Sequence, residues 1–310
     1  MTSPQSARRR WSLFAGIFAL YFALTCLISW PLLSQLDTVL VGRTTDVLVH
    51  YWNGWWFQQA LQLGQSPFFT PLLNHPEGVS LITHNFALVN ILPWVLLKPL
   101  IGGTAAYNFV VLISLALCGF TMYLLADELL HYPQASFIAG LVYMAWPYRL
   151  SQLDHPNLIA TFWVPLFFLF LIRTLRSERW LNALFAGLTM ALVGYTRWQL
   201  LVPVSIMALV YLLGTTRQWL AHWKQVLPLL GLAAAVAIVA LLPPVVMLSR
   251  EQVSSAVAAD IIYEVDEQSM STDLLAYVTP SNRHFALNTI TLPLVDRYYP
   301  DRTPGCLLYT

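Results

Sequence analysis

Residues 86–102 read FALVNILPWVLLKPLIG, and how this stretch is taken decides how the chain threads a membrane. It is apolar but short, and it carries Pro93 and Pro99. Clearer apolar runs follow at about 104–126, 135–148, 157–174, 180–196, 199–214 and 226–248, and one of about twenty residues, Trp11 to Trp30, precedes it. A helix needs about 20 residues to cross about 30 Å of hydrocarbon, so 135–148 and 199–214 require flanking residues to do so. Lysine and arginine concentrate in cytoplasmic loops. Arg8, Arg9 and Arg10 place the N-terminus there. The cluster Arg173, Arg176 and Arg179, and the pair Arg217 and Lys224, place two later loops there too. These assignments agree only if 86–102 does not cross. Its prolines and length allow a re-entrant or juxtamembrane segment that returns to the side it came from. The spacing then predicts an all-α polytopic membrane protein with seven crossings. Residues 32–103, 149–156, 195–199 and 249–310 all lie on the extracytoplasmic side.

Composition agrees with that class. Hydrophobic residues make up 57% and charged residues 10% of 310 positions, with a mean hydropathy of +0.61; a soluble domain carries about 25% charge. The net charge of +1 points to no nucleic-acid partner. Cys26, Cys118 and Cys306 are scattered, so neither a zinc site nor a disulfide framework follows from them. The first apolar run is longer than a signal-peptide core, and no small-residue cleavage site follows it. It is read as a retained helix of a protein in the plasma or inner membrane. Residues 1–11 form the cytoplasmic N-terminus and 12–248 the transmembrane module. In the polar segment 249–310 eight of the fifteen acids collect, and further helices are expected after it.

The first long loop, 32–85, holds the stretch Val41 to Phe57, VGRTTDVLVHYWNGWWF. Read as a helix from Asp46, it sets His50 and Asn53 on the same side at i+4 and i+7, while Leu48, Trp52, Trp55 and Gln59 fall on a neighbouring stripe. Two readings of Asp46 stand together: a helix N-cap at the interface, or an acid placed to act on a lipid-linked substrate. The tryptophans are read as packing at headgroup level. Glu77 lies in the turn sequence Asn74-His75-Pro76-Glu77-Gly78, either solvated or a ligand. His84 and Asn85 open the 86–102 segment, pointing into a cavity or capping it.

In the next outer loop, Arg149 either pairs with a phosphate or snorkels to headgroups. Asp154 and His155 supply a second acid–imidazole pair. Arg197 sits between two apolar runs with almost no loop, a costly position unless an anion meets it. Asp46, Asp154 or a lipid phosphate are the candidates. Such a set suits transfer from a polyprenyl-phosphate sugar, with a carboxylate as general base and cations on the phosphate leaving group. A non-catalytic transporter, flippase or export component for lipid-linked glycans is the rival; it would place ionisable groups near mid-membrane, where these runs have few.

The order of these features is similar to a known pattern. After the first helix come Asp46 and its aromatic run, His75-Pro76-Glu77-Gly78, Leu81 and His84-Asn85. A proline-bearing segment follows, then Ala106-Tyr107-Asn108 and Tyr123-Leu124-Leu125-Ala126. Trp146-Pro147-Tyr148-Arg149-Leu150, Gln152 and His155 complete it. This resembles bacterial membrane glycosyltransferases of the GT-C superfamily, and more distantly oligosaccharyltransferase catalytic subunits, protein mannosyltransferases and aminoarabinose transferases. The resemblance covers most of residues 12–250. It implies a GT-C-like helix bundle with juxtamembrane helices in the first outer loop and a polyprenyl-phosphate-linked donor. The acceptor would be a glycan, lipid or protein, and the catalytic acid Asp46. Arg149 and Arg197 would hold phosphate, and His50, Glu77, His84, Asp154 and His155 would shape the site. The superfamily has metal-dependent and metal-independent members, so a divalent cation is possible. Thr45 precedes Asp46 where many relatives have glycine; the nearest glycine is Gly42.

Overall fold

The computed structural model describes residues 4–42, 46–82 and 87–254, with three isolated positions beyond them. Residues 1–251 form one compact unit and 252–310 another. The acid-rich segment 249–310 therefore lies almost wholly outside the described residues.

Helix α1 (Pro4–Ile28) leads through a short 3-10 turn to α2 (Asp46–Gln62). A minimal antiparallel hairpin follows, β1 (Phe69–Thr70) and β2 (Val79–Ser80), with Phe69 opposite Ser80. Then come α3 (Leu88–Ile101), α4 (Gly103–Leu130) and α5 (Pro133–Met144), and two single-turn helices, α6 (Pro147–Ser151) and α7 (Pro156–Ile159). The chain continues as α8 (Trp163–Ser177), α9 (Trp180–Thr196), α10 (Leu201–Gly214), α11 (Thr216–Trp219) and α12 (Trp223–Ser254).

Among the described residues four helical stretches are long and apolar enough to cross a membrane: Trp11–Ile28, Gly103–Leu130, Pro156–Ser177 and Thr216–Ser249. The chain is a multi-pass membrane protein on that ground. Leu88–Ile101, Trp180–Thr196 and Trp198–Gly214 are apolar but shorter. Fewer helices reach full length than the seven expected crossings. The run 135–148 in particular yields only the 12 residues of α5, about 18 Å of helix. Its early stop has a local cause. Pro147 disfavours helical backbone at the residue before it, and Trp146 sits at φ −55°, ψ 130°.

The 86–102 segment becomes a 14-residue helix that stays regular through Pro93 and Pro99 and ends at Gly102, whose φ of 83° favours glycine. It then folds back along α4. The Trp94 indole donates to the Gly103 carbonyl at 2.9 Å, and Val89, near its start, packs against a cluster of Cys118, Ala160 and Phe162.

Helices α1, α4 and α5 share one core. Phe14 and Phe18 meet Phe120, while Phe22 meets Phe109, so α1 runs antiparallel to α4. Glycine lets α4 and α5 approach closely. A Cβ on Gly140 would lie 2.4 Å from the Gly119 carbonyl oxygen, the small-residue contact that membrane helices use. Tyr21 fills the crevice, stacks on Phe137 and donates to its carbonyl at 2.8 Å. A second core joins α8, α9, α10 and α12. There Gly187 lies under Ala233, and Tyr195 donates to the Ala240 carbonyl. Arg173 of α8 pairs with Glu128 of α4 at 2.6 Å, a half-exposed contact worth little by itself.

Candidate functional site

Asp46 opens α2, where the positive end of the helix dipole favours a carboxylate. The loop leading to it is held by one side chain. Asn108 of α4, fully buried, accepts from the Val41 amide at 2.8 Å and donates to the carbonyls of Leu36 (2.8 Å) and Val39 (2.7 Å). Three hydrogen bonds from one amide tie the loop to the bundle just before Asp46. Asn108→Leu strands the buried Val41 amide and is expected to cost about 3 kcal/mol, since each buried polar group left unpaired costs roughly 1–3 kcal/mol. Differential scanning fluorimetry in detergent reads this as a drop of several degrees in Tm.

The helical spacing from Asp46 appears in the structure as a buried side of α2: Val47, His50, Asn53, Gly54 and Trp56 are buried. Trp56, expected at the membrane interface, instead packs with Ala60 and Leu81 under the hairpin and stacks on Trp52. Trp55 is left at the rim.

Asp46 and His155 meet. Nε2 of His155 lies 2.9 Å from Oδ2 of Asp46, with the carboxylate about half exposed. A neutral imidazole at that distance donates Nε2–H, which leaves Nδ1 as an acceptor. That Nδ1 is buried and has no hydrogen-bond partner. His50 packs edge-on to His155 with ring centroids 6.1 Å apart. Asp154, the neighbour of His155, turns the other way. It is buried, and its Oδ1 lies against Gly42, where an added Cβ would come within 2.4 Å of it. Gly42 takes φ 130°, so that crossing requires glycine. Asp46, His50, Asp154 and His155 thus gather around the start of α2. Among the described residues no group of three or more His, Cys, Asp or Glu is placed to hold a metal ion.

The two arginines expected on phosphate have different surroundings. Arg149 is 5% exposed. Its Nε donates to the Tyr143 carbonyl at 2.9 Å, and its Nη1 to the Ile159 carbonyl at 2.9 Å, Cys118 Sγ at 3.1 Å and Thr161 Oγ1. The guanidinium also sits 4.4 Å from the Tyr143 ring centroid. It fastens the irregular connector 145–162, which carries Asp154 and His155, to α4 and α5. Arg197 is half-buried in the extended link between α9 and α10. Its guanidinium donates from Nε to Gln199 at 3.2 Å, and no carboxylate of the described residues pairs with it. It lines a cavity of about 180 Å³ with Asn157, Tyr195 and Gln199, walled by Phe68, Ile82 and Leu241. Asn157 is two residues from His155, so α7 links the cavity to the Asp46–His155 pair.

Glu77 stands apart. It is exposed in the β1–β2 connection, next to Gly78 at φ 75°, with no ion-pair partner among the described residues. His84 lies outside the described residues. Asn108, Asn90 and Tyr107 do structural work near the site that the charged-residue reading did not assign; an asparagine inside an apolar run is the signal that marks the first two. No protein-family model, no curated protein and no solved structure matches the chain.

Proposed function

We propose that the protein is a GT-C-type membrane glycosyltransferase that moves a sugar from a polyprenyl-phosphate donor to an acceptor hydroxyl at the extracytoplasmic face. The observation that carries this reading is the link through α7. His155 engages Asp46, and Asn157, two residues on, lines the cavity of a cation that has no carboxylate partner among the described residues. The imidazole that engages the base and a side chain that lines the cation's cavity are thus set two residues apart on one short connector.

In the reaction the acceptor oxygen forms a bond to the sugar C1 as its proton passes to the Asp46 carboxylate. The C1–O bond to phosphate breaks, and polyprenyl phosphate leaves with the electron pair, its charge met by Arg197. Configuration inverts in this single displacement. His155 holds the carboxylate through Oδ2 and so fixes its orientation. Arg149 supports the connector and does not touch the phosphate.

The test uses the full protein in proteoliposomes with a labelled polyprenyl-phosphate sugar and a panel of acceptors. Transfer with release of polyprenyl phosphate is expected. Arg197→Gln is expected to raise the donor KM about 10- to 100-fold at unchanged Tm, because a hydrogen bond to a charged group contributes roughly 1.5–3 kcal/mol. Donor that crosses the bilayer with its C1–O bond intact would instead indicate a carrier for lipid-linked glycans.

A further inference from the structure

Behind the Asp46–His155 pair, α2, α3 and α4 enclose a small cavity of about 20 Å³. His50, Asn53, Asn90, Trp94, Tyr107 and Pro156 line it. Asn90 and Tyr107 are more than nine-tenths buried. Both amide atoms of Asn90 and the hydroxyl of Tyr107 lack any hydrogen-bond partner among the described residues. Buried polar groups are ordinarily paired with protein or with ordered water. A cavity holds a water once it offers roughly 10–15 Å³ and two to four polar partners. This one meets both conditions: Asn90 supplies an acceptor and two donors, and Tyr107 supplies a hydroxyl that can do either.

We propose that this cavity binds one ordered water, held by Asn90 and Tyr107, and that the water fixes the ring of His50. His50 packs edge-on against His155, whose Nε2 faces Asp46. Asn90 and Tyr107 are therefore positioning residues, acting through His50 on the imidazole that holds the carboxylate. Occupancy of the cavity is independent of the sugar-transfer reading; only the use of the pair as a base rests on it. The signature of water is in the sign of a stability change. In a dry cavity, replacing an unpaired amide by an apolar group of like size relieves a penalty and stabilises the protein. In a hydrated one, the same change removes a hydrogen bond and strands the water.

The experiment compares the wild-type full chain with Asn90→Leu and Tyr107→Phe in detergent, and needs no donor or acceptor. Melting temperature is followed by scanning fluorimetry, and the ring nitrogens of His50 by NMR of protein labelled with 15N-histidine. The expected result is a fall of several degrees in Tm for both variants, with a shift of the His50 ring signals. A Tm that stays level or rises in both would overturn the bound water. A fall in Tm with unmoved His50 signals would overturn the positioning role. Tyr107→Phe removes only a hydroxyl, so it keeps the test open if Asn90→Leu fails to fold.

Discussion

Asp46→Asn is expected to lower kcat for sugar transfer by about 10²- to 10⁴-fold, the range that positioned general-base catalysis contributes. The substitution suits the geometry. An asparagine keeps the shape of the side chain, and its carbonyl can still accept from Nε2 of His155, which now stands 2.9 Å from Oδ2. What it loses is the anionic charge, and with it the basicity that takes the acceptor proton. Asp46 is about half exposed and asparagine keeps the hydrogen bond to His155, so Tm should move by no more than about a degree or two, since exposed ion pairs contribute about 0–1 kcal/mol. Donor KM should also stay near wild type, because the phosphate is assigned to Arg197. A fall in kcat with constant KM and Tm is the pattern of an interaction made only in the transition state. Transfer at the wild-type rate by Asp46→Asn would remove Asp46 from the mechanism and leave its carboxylate as a helix-terminal group alone.

Part of this arrangement is legible in the chain, for physical reasons. The i, i+4, i+7 spacing of Asp46, His50 and Asn53 marks one side of a helix, and the helix forms from Asp46 with His50 and Asn53 buried and Asp46 exposed at its start. The short apolar run 86–102 forms a helix of 14 residues, and Gly102 rather than Pro93 or Pro99 ends it. The length of α5 was less legible. Its apolar run continues to Tyr148, but Pro147 ends the helix through backbone sterics that hydropathy does not register. The adjacent pair Asp154 and His155 gives no local sign that one residue turns to Gly42 and the other to Asp46. That division is set by the irregular path of 145–162, and the path is set by tertiary hydrogen bonds. The same holds for the arginines. Both stand at the end of an apolar run, and only the folding of the chain that brings the Tyr143 and Ile159 carbonyls onto Arg149 separates its use from that of Arg197.

Arg149→Met should therefore act on stability and not on donor affinity. It keeps much of the side-chain volume and removes the guanidinium. The carbonyls of Tyr143 and Ile159 and the hydroxyl of Thr161 then lose a charged donor in a buried setting. A hydrogen bond to a charged group contributes roughly 1.5–3 kcal/mol. Methionine lifts the cost of burying a cation, which offsets part of the loss, so the expected net destabilisation is about 3–5 kcal/mol. For a chain of this size that is a Tm shift on the order of 10 °C, at roughly 2–4 °C per kcal/mol. Arg149→Lys should recover only part of it. An ammonium keeps the charge but not the planar fork that reaches Tyr143 on one side and Ile159 and Thr161 on the other. Because the connector bears His155, the surviving folded fraction should also show reduced kcat while its donor KM stays constant. The contrast with Arg197→Gln decides the assignment. If Arg149→Met raised donor KM and left Tm in place, this buried guanidinium would be a phosphate ligand after all, and the division of labour between the two arginines would be reversed.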